Sequence, residues 1–129
     1  MKAFITSIFV LLLAVSFGQE KPCNQLPVKA DVKANFYASL SDNIAENLPE
    51  RLDVKEAETA TFKVQVACDG TVKYCIIESG NMGQDYQEVV IAQSSKELWV
   101  PATKEGKKVT TNLYFECTID KGKVTLSVL

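Results

Sequence analysis

Apolar residues recur at every fourth position in the first part of the chain, between residues 28 and 48. They are Val28, Val32, Phe36, Leu40, Ile44 and Leu48. This period places them on one stripe of an α-helix of about 18 residues, with polar residues on the other faces. Pro49 disfavours helical conformation in the residue before it, so the helix should end near Asn47. We predict that this helix lies on a sheet.

Strict alternation replaces the helical period after a charged connector. Residues 62–66 alternate between apolar and polar side chains, which predicts a half-buried strand. Asp69-Gly70 then predicts a hairpin turn. In the returning strand, 72–78, the alternation breaks, and a bulge near Lys73–Tyr74 would return its apolar residues to the core face.

The next segment predicts a second helix. Glycine and polar residues at 79–83 interrupt the strand. Asp85 and Glu88, three residues apart, resemble a capping box with aspartate as the cap. A helix of about three to four turns should follow, to about Leu98. Pro101 prevents its continuation.

A long third strand and a short final strand complete the pattern. Apolar and polar residues alternate from Val109 to Ile119, a turn follows at 120–122, and residues 123–128 form the last strand. The right-handed crossover rule places the second and third strands parallel, with the first strand between them. The predicted fold is therefore α+β: a small antiparallel sheet of order 2-1-3, with the short C-terminal strand beside the third and two helices on one face.

The amino-acid composition argues against several classes of function. The chain has 129 residues, of which 47% are hydrophobic, so one domain with one core is expected. A net charge of −2 argues against a nucleic-acid partner, which requires a basic face. The sequence contains no histidine, which excludes Ser-His and Cys-His catalytic pairs and histidine metal sites. Carboxylate pairs such as Glu46 with Glu50 and Glu56 with Glu58 are explained as surface charge rather than acid–base groups. We predict no catalytic residue, no enzymatic activity, no cofactor and no metal.

Residues 1–18 are predicted to be a secretory signal peptide. Lys2 precedes an apolar run of about 15 residues, shorter than the roughly 20 that span a bilayer. Ser16 and Gly18 occupy the −3 and −1 positions of a cut before Gln19. Cleavage leaves 13 basic and 16 acidic residues, a net charge of −3, with a tail at 19–27 and a domain at 28–129. The expected location is periplasmic or secreted. The alternative is an uncleaved anchor, and only then do we expect membrane contact.

Four cysteines in an exported chain predict disulfides. Cys75 and Cys117 face the core on strands separated by another strand. Their distance would be about 9–10 Å, whereas the Cα atoms of a disulfide lie within about 7 Å. Cys23 of the tail is therefore expected to pair with Cys68 or Cys75. A second pair stays unassigned, and buried or free thiols are the alternative.

Several short motifs follow one another in a characteristic order. An alternating strand ends in Asp69-Gly70, a second strand ends near Ser79, and a helix ends in Trp99-x-Pro101-Ala102, followed by Gly106-Lys107 and the third strand. This series, from Phe36 to Ile119, resembles the C-terminal domain of TonB, the energy-transducing protein of Gram-negative bacteria. In such a domain we expect Trp99 to close the core at the helix end, with its N–H bound to a carbonyl.

The resemblance implies capture of a peptide by strand addition. TonB-like domains bind the TonB-box segment of outer-membrane receptors at the edge of the third strand, through backbone hydrogen bonds. The corresponding residues here are Val109, Thr110, Asn112, Tyr114 and Glu116. If the last strand covers this edge it must be displaced, or the other edge, 72–77, serves instead. The expected partner is an outer-membrane receptor or another envelope protein.

Three departures from the TonB pattern bear on function. TonB transducers carry an inner-membrane anchor and a proline-rich spacer, whereas this chain has four prolines in all, and its four cysteines are additional. The resemblance therefore implies a free periplasmic binding domain rather than a force transducer. The alternative is a structural or assembly protein of the envelope that associates with itself through strand edges.

Overall fold

The computed structural model describes Cys23, residues 25–52 and residues 56–129. Within these residues the order of elements is β1 (Asn35–Phe36), α1 (Ser39–Glu46), β2 (Glu58–Val66), β3 (Val72–Gly80), α2 (Gln84–Lys96), β4 (Trp99–Val100), β5 (Ala102–Lys104), β6 (Lys107–Val109), β7 (Thr111–Asp120) and β8 (Lys123–Val128). The predicted signal peptide, 1–18, lies outside the described residues. No helix in the described ranges is both long enough and apolar enough to cross a membrane.

The main sheet has the strand order β3-β2-β7-β8, and each neighbouring pair is antiparallel. The predicted order 2-1-3, with the final strand beside the third, is confirmed, and so is the α+β class. Two local hairpins, β2–β3 and β7–β8, join through β2 and β7 to make this order. α2 packs against β3, and α1 packs against β8 and α2.

The core lies between the helices and one face of the sheet. The fully buried residues of β2 and β7 alternate along these strands: Ala60, Phe62, Val64, Val66, Phe115, Cys117 and Ile119. Phe62 and Phe115 are register partners, and their rings stack with centroids 5.3 Å apart. Burial of a large apolar side chain contributes about 1.5–3 kcal/mol. The alternation that predicts these strands therefore also identifies the side chains that stabilise the sheet most.

The bulge predicted in the returning strand is present. The register of β3 against β2 skips Lys73, and it skips Glu78 nearer the end of the strand. As a result Cys75 is buried, and Val72 and Ile77 both pack against the core. Both skipped residues are charged, and they lie on β3, an edge strand of the described sheet.

The first helix is shorter than predicted. α1 has a single buried face, and residues 25–34 before it are not helical and form one isolated β-bridge, at Val32. Val28 and Val32, the first two residues of the predicted stripe, are 43% and 61% exposed. Hydrogen bonds to distant parts of the chain hold this segment, and such tertiary contacts override a helical period. The predicted end is correct, because Asn47 is the C-cap.

The second helix does not use the predicted capping box. α2 has Gly83 as its N-cap and no side-chain cap hydrogen bond, so the assignment of Asp85 as cap, with Glu88, is wrong. Glu58 of β2 instead accepts a hydrogen bond from the Gly83 N–H at 2.7 Å. Asp85 binds Arg51. A carboxylate from β2 thus accepts a hydrogen bond at the N-terminus of α2, where the first N–H groups have no partner within the helix.

A short hairpin, β5–β6, separates α2 from β7. It turns through Glu105 and Gly106, which both have positive φ. The predicted single strand from Val109 to Ile119 is therefore wrong at its start, because Val109 belongs to β6 and Thr110 lies between the strands. Val109 lies an even number of positions before the core residues of β7. The alternating pattern therefore continues through this break and could not reveal it.

Candidate functional site

The Asp69-Gly70 turn and the Trp99 motif meet at one corner of the fold. The backbone N–H of Trp99 donates a hydrogen bond to the Gly70 carbonyl at 2.8 Å. Gly70 has a φ of +86°, and a Cβ at this position would lie 2.5 Å from the Trp99 carbonyl oxygen. Thr71 donates to the Asp69 carboxylate from its hydroxyl and its N–H, at 2.6 and 3.0 Å, which lowers the pKa of that carboxyl. The motif residues therefore build one packed corner.

Trp99 has the structural role that the sequence predicts. It is 1% exposed. Its indole N–H donates to the Ser94 carbonyl in the last turn of α2, at 3.0 Å. The ring contacts Phe36 edge-on and Phe115 at a tilt, with centroids 5.9 and 5.5 Å away. Ala102 of the same motif is also buried, whereas Gly106 and Lys107 lie in the exposed end of the β5–β6 hairpin.

A disulfide joins Cys23 to Cys68 just beyond the end of β2, with Cα atoms 5.7 Å apart. Of the two partners that the sequence allows for Cys23, Cys68 is therefore the correct one. The buried hydroxyl of Thr110 lies 3.4 Å from Cys23 Sγ and accepts a hydrogen bond from the Cys68 N–H at 3.1 Å. Disulfides persist in oxidising compartments, so this bond is typical of exported proteins.

The other two cysteines, Cys75 and Cys117, are free thiols in the core. They lie on β3 and β7, with β2 between them, as the predicted strand order requires. Burial raises the pKa of each thiol to about 12. Because the thiolate is the reactive form, neither residue is activated as a nucleophile.

Residues 25–34, which we call the strap, form no helix and run past Thr110 and Thr103 near the start of β7. The Val28 N–H donates to the Thr110 carbonyl at 2.9 Å. Farther along, Val32 and Thr103 exchange two backbone hydrogen bonds of 3.1 and 3.0 Å. The strap is therefore held by the disulfide just before its start and by β-type hydrogen bonds along its length.

A groove of about 300 Å³ lies between the strap, the first residues of β7 and the end of β8. The strap lines it with Val28, Lys29, Ala30, Lys33 and Ala34, β7 with Thr111, Asn112, Leu113 and Tyr114, and the end of the chain with Leu129. This volume is at the lower end of the range for ligand sites. It is large enough for one or two side chains of an extended segment.

One stretch of the β7 edge opens into this groove. β8 pairs with β7 from Phe115 onwards, and the Leu129 N–H donates to the Tyr114 carbonyl at 2.9 Å. The strap binds the Thr110 carbonyl on the same side. Backbone groups two residues apart on a strand point to the same side, so the N–H and C=O of Asn112 point between β8 and the strap. Neither of these described segments pairs with them.

The side chain of Asn112 is held firmly on the open face of the sheet. Its Oδ1 accepts hydrogen bonds from Gln65 Nε2 at 2.9 Å and from the Tyr74 hydroxyl at 2.8 Å. Side chains from β2 and β3 thus fix a residue of β7. A residue ordered in advance loses less entropy when a ligand binds to its backbone.

The residues of the predicted peptide-binding edge lie in different environments in the structure. Asn112 and Tyr114 line the groove. Val109 lies in β6, Thr110 is buried under the strap, and Glu116 pairs with Ser127 of β8. Their predicted role in binding stays a prediction, and two of their carbonyls, those of Thr110 and Tyr114, already accept hydrogen bonds from Val28 and Leu129.

Sequence reasoning missed the strap side of the groove. Val28, Lys29 and Lys33 were assigned to a helix, and Leu129 received no role. The signal that could have revealed this side is Cys23, because a disulfide to the hairpin turn draws the following residues across the sheet.

A second cluster ties the connector before β2 to the start of α2. Arg51 forms ion pairs with Glu58 and Asp85, and its guanidinium carbon lies 3.4 Å above the centre of the Tyr86 ring. This arrangement lowers the pKa of Asp85. All three charges are paired within the cluster. In the described part of the chain, no group of three or more cysteines or carboxylates could hold a metal ion.

Comparisons of the chain with protein-family models, with curated proteins and with solved structures found no match.

Proposed function

We propose that this chain is a periplasmic protein-binding module that captures an extended segment of an outer-membrane or envelope protein by strand addition. The observation that carries this proposal is the backbone of Asn112, a residue that lines the groove: in the described residues its N–H and C=O pair with neither β8 nor the strap. An incoming segment gains a donor and an acceptor there, in line with β8, and its side chains enter the groove. This is the mode of binding that the TonB-like motifs imply.

The proposed location follows from the covalent structure and the first residues. The Cys23–Cys68 disulfide fits an oxidising compartment. The first 18 residues have the pattern of a signal peptide, so we propose export and cleavage between Gly18 and Gln19.

A pair of substitutions at Asn112 tests strand addition. Asn112→Pro removes the backbone N–H that faces the groove, whereas Asn112→Ala keeps this N–H and removes the side chain. Proline is tolerated in a strand where its missing N–H faces an open edge. We expect a receptor peptide of the TonB-box type to shift the amide resonances of β7 and the strap in the wild type and in Asn112→Ala. We expect no such shifts in Asn112→Pro.

A complementary measurement keeps the test valid if the proline variant fails to fold. In the wild type, a segment bound by strand addition protects the Asn112 amide from hydrogen exchange, because the amide becomes hydrogen-bonded. Binding of the peptide without this protection would contradict the proposal.

The outer edge of β3 favours a second candidate, an assembly protein that associates with itself. In the described chain β3 pairs with β2 alone, and Ile76 on it is 48% exposed. Two copies could pair along this edge. Sedimentation at several concentrations tests this: Ile76→Lys should abolish a dimer, and a monomer at all concentrations would exclude this candidate.

A further inference from the structure

The second half of the strap, residues 31–34, is tied to the β5–β6 hairpin. The N–H groups of Asp31 and Val32 both donate to the Thr103 carbonyl, at 2.9 and 3.1 Å, and the Thr103 N–H donates back to the Val32 carbonyl. The Asp31 carboxylate accepts a hydrogen bond from the Glu105 N–H at 2.8 Å. These hydrogen bonds hold the second half independently of the disulfide.

The first half of the strap, residues 25–30, has fewer restraints. Its one backbone hydrogen bond within the described residues runs from the Val28 N–H to the Thr110 carbonyl. Five of its six residues are exposed, and Leu26 is 82% exposed. Apolar burial therefore contributes little here, and the disulfide just before this half is its strongest tie to the sheet.

Thr110 links the disulfide to the edge of β7. Its carbonyl accepts the hydrogen bond from the strap, whereas its hydroxyl accepts one from the Cys68 N–H and lies 3.4 Å from Cys23 Sγ. Its carbonyl points to the same side of the strand as the backbone groups of Asn112, two residues on. A segment that pairs along this edge therefore reaches Thr110 next, and meets the first half of the strap there.

The strap and an incoming segment compete for this position. The Leu129 N–H binds the Tyr114 carbonyl at the other end, so among the described residues only Asn112 stays open between β8 and the strap. Release of the first half adds Thr110 to the open edge and lengthens the strand that can be added. A tethered segment competes at a high effective concentration, which falls when its tether becomes longer.

We infer that the first half of the strap is an autoinhibitory segment, and that the redox state of the Cys23–Cys68 disulfide controls it. The oxidised form keeps the strap on Thr110 and binds the partner weakly. The reduced form releases the strap and binds the partner more tightly. This inference rests on the proposed function, because the strap inhibits only if a partner strand adds beside Asn112.

The reductant is a dithiol, and the geometry favours its attack on Cys68. Cys68 is partly exposed, whereas Cys23 is buried and its Sγ accepts a hydrogen bond from the Cys68 N–H at 3.1 Å. A thiolate of the dithiol attacks Cys68 Sγ, the S–S bond breaks, and its electron pair goes to Cys23 Sγ, which takes up a proton. The second thiol of the dithiol then displaces Cys68, which leaves as a thiol. The dithiol is oxidised to a disulfide, and the cysteine pair gains two electrons and two protons.

Hydrogen exchange of two strap amides tests the release without any ligand. In the ¹⁵N-labelled wild type, reduction with dithiothreitol should raise the exchange rate of the Val28 amide more than that of the Val32 amide, because only the first half loses its main restraint. Cys23→Ser/Cys68→Ser should show the same pattern without reductant. Unchanged protection of Val28 after reduction would overturn the switch.

Two proline substitutions test the competition while the disulfide stays intact. Val28→Pro removes the N–H that binds Thr110, whereas the control Leu26→Pro places a proline in the same half without removing a hydrogen bond of the described residues. We expect the receptor peptide of the TonB-box type to bind Val28→Pro and the reduced wild type about tenfold more tightly than the oxidised wild type, within the usual range for coupled sites. Leu26→Pro should bind like the oxidised wild type. By linkage, bound peptide should make the disulfide easier to reduce by the same factor, about 30 mV.

The outcomes separate the two proposals. Equal affinity of the peptide for the oxidised wild type, the reduced wild type and Val28→Pro would overturn inhibition by the strap and leave strand addition standing. Absence of binding to all of these forms would overturn both.

Discussion

Both the backbone conformation at position 70 and the atoms that surround it require a glycine there. Its positive φ is a property of the turn, and the sequence pair Asp69-Gly70 reveals it. The contact with the Trp99 carbonyl is a property of the tertiary fold, and nothing in the local sequence indicates it. Two motifs that lie far apart in the sequence therefore constrain each other at a single atom pair.

Two glycine substitutions separate conformational strain from steric collision. We expect Gly106→Ala to lower the free energy of unfolding by about 1 kcal/mol, because φ is +79° and the space beside it is open. Gly70→Ala should cost about 3 kcal/mol, since the new methyl group also collides with backbone. Urea denaturation followed by Trp99 fluorescence measures both. Equal losses would contradict the contact with Trp99.

The ion pair of Asp85 with Arg51 predicts a dependence of stability on pH. The pKa of Asp85 is lowered from 3.8, and its side chain accepts a hydrogen bond from Arg51 Nε at 3.0 Å. A lowered pKa stabilises the fold above pH 3.8, and this contribution disappears as the pH falls through the folded-state pKa.

Asp85→Asn should therefore be less stable than the wild type at pH 7 and lose less stability on acidification below about pH 4. Urea denaturation at a series of pH values measures this slope. Asp120→Asn, which removes an exposed carboxylate at the end of β7, is the control. If Asp85→Asn follows the wild type at every pH, the ion pair contributes nothing in solution.

At the scale of elements, the sequence predicts an element accurately when residues close in sequence determine its conformation. β2, β3 and their turn follow from alternation and from Asp69-Gly70, and even the bulge at Lys73 follows from the position of the apolar residues. The conformation of the strap, in contrast, is determined by contacts with residues far away in the sequence. Its path depends on contacts with Thr103 and Thr110 and on the disulfide.

Half of the candidate groove could therefore be predicted. Asn112 and Tyr114 come from a strand with a clear period, whereas Lys29 and Lys33 belong to the segment that the helical period misassigned. The one sequence feature that links the two halves is the pair Cys23 and Cys68, which the chain brings together at the end of β2.

Reduction of the disulfide should release the strap. We expect the wild type to lose about 3 kcal/mol of unfolding free energy in the presence of a dithiol reductant, because the bond closes a long loop. Amide hydrogen exchange should rise for residues 25–34. The double variant Cys23→Ser/Cys68→Ser is the control, since reductant should not change its stability. A wild type that keeps its stability after reduction would show that hydrogen bonds alone hold the strap.

At the scale of the whole molecule, the described residues form a sheet with one face covered by helices and the other face left open by those residues. The free thiols lie on the covered face, and the disulfide lies at the end where the strap crosses. The free and the disulfide-bonded cysteines therefore lie in different parts of the fold.

Intact mass after alkylation tests this arrangement in the complete protein. Iodoacetamide at pH 8 should add no group to the native protein, because Cys75 and Cys117 are buried and the pKa of each is raised to about 12. Unfolding without reductant should expose the two free thiols, and unfolding with reductant should expose all four. The same spectrum gives the first residue, expected to be Gln19. Alkylation of the native protein would contradict the burial of the thiols.

The pairing of β2 with two strands has a consequence for the order of folding. β2 meets β3 across a tight turn, but it meets β7 only after the chain from Ala67 to Thr110 has folded back. Local contacts form quickly and distant ones slowly, so the two hairpins should form first and their union through Phe62 and Phe115 should limit the rate. Changes at that seam should slow folding, whereas changes in the strap should mainly speed unfolding. The newly synthesised chain would then expose both inner strand edges until the hairpins meet, and that interval is when it is most open to aggregation and to chaperones.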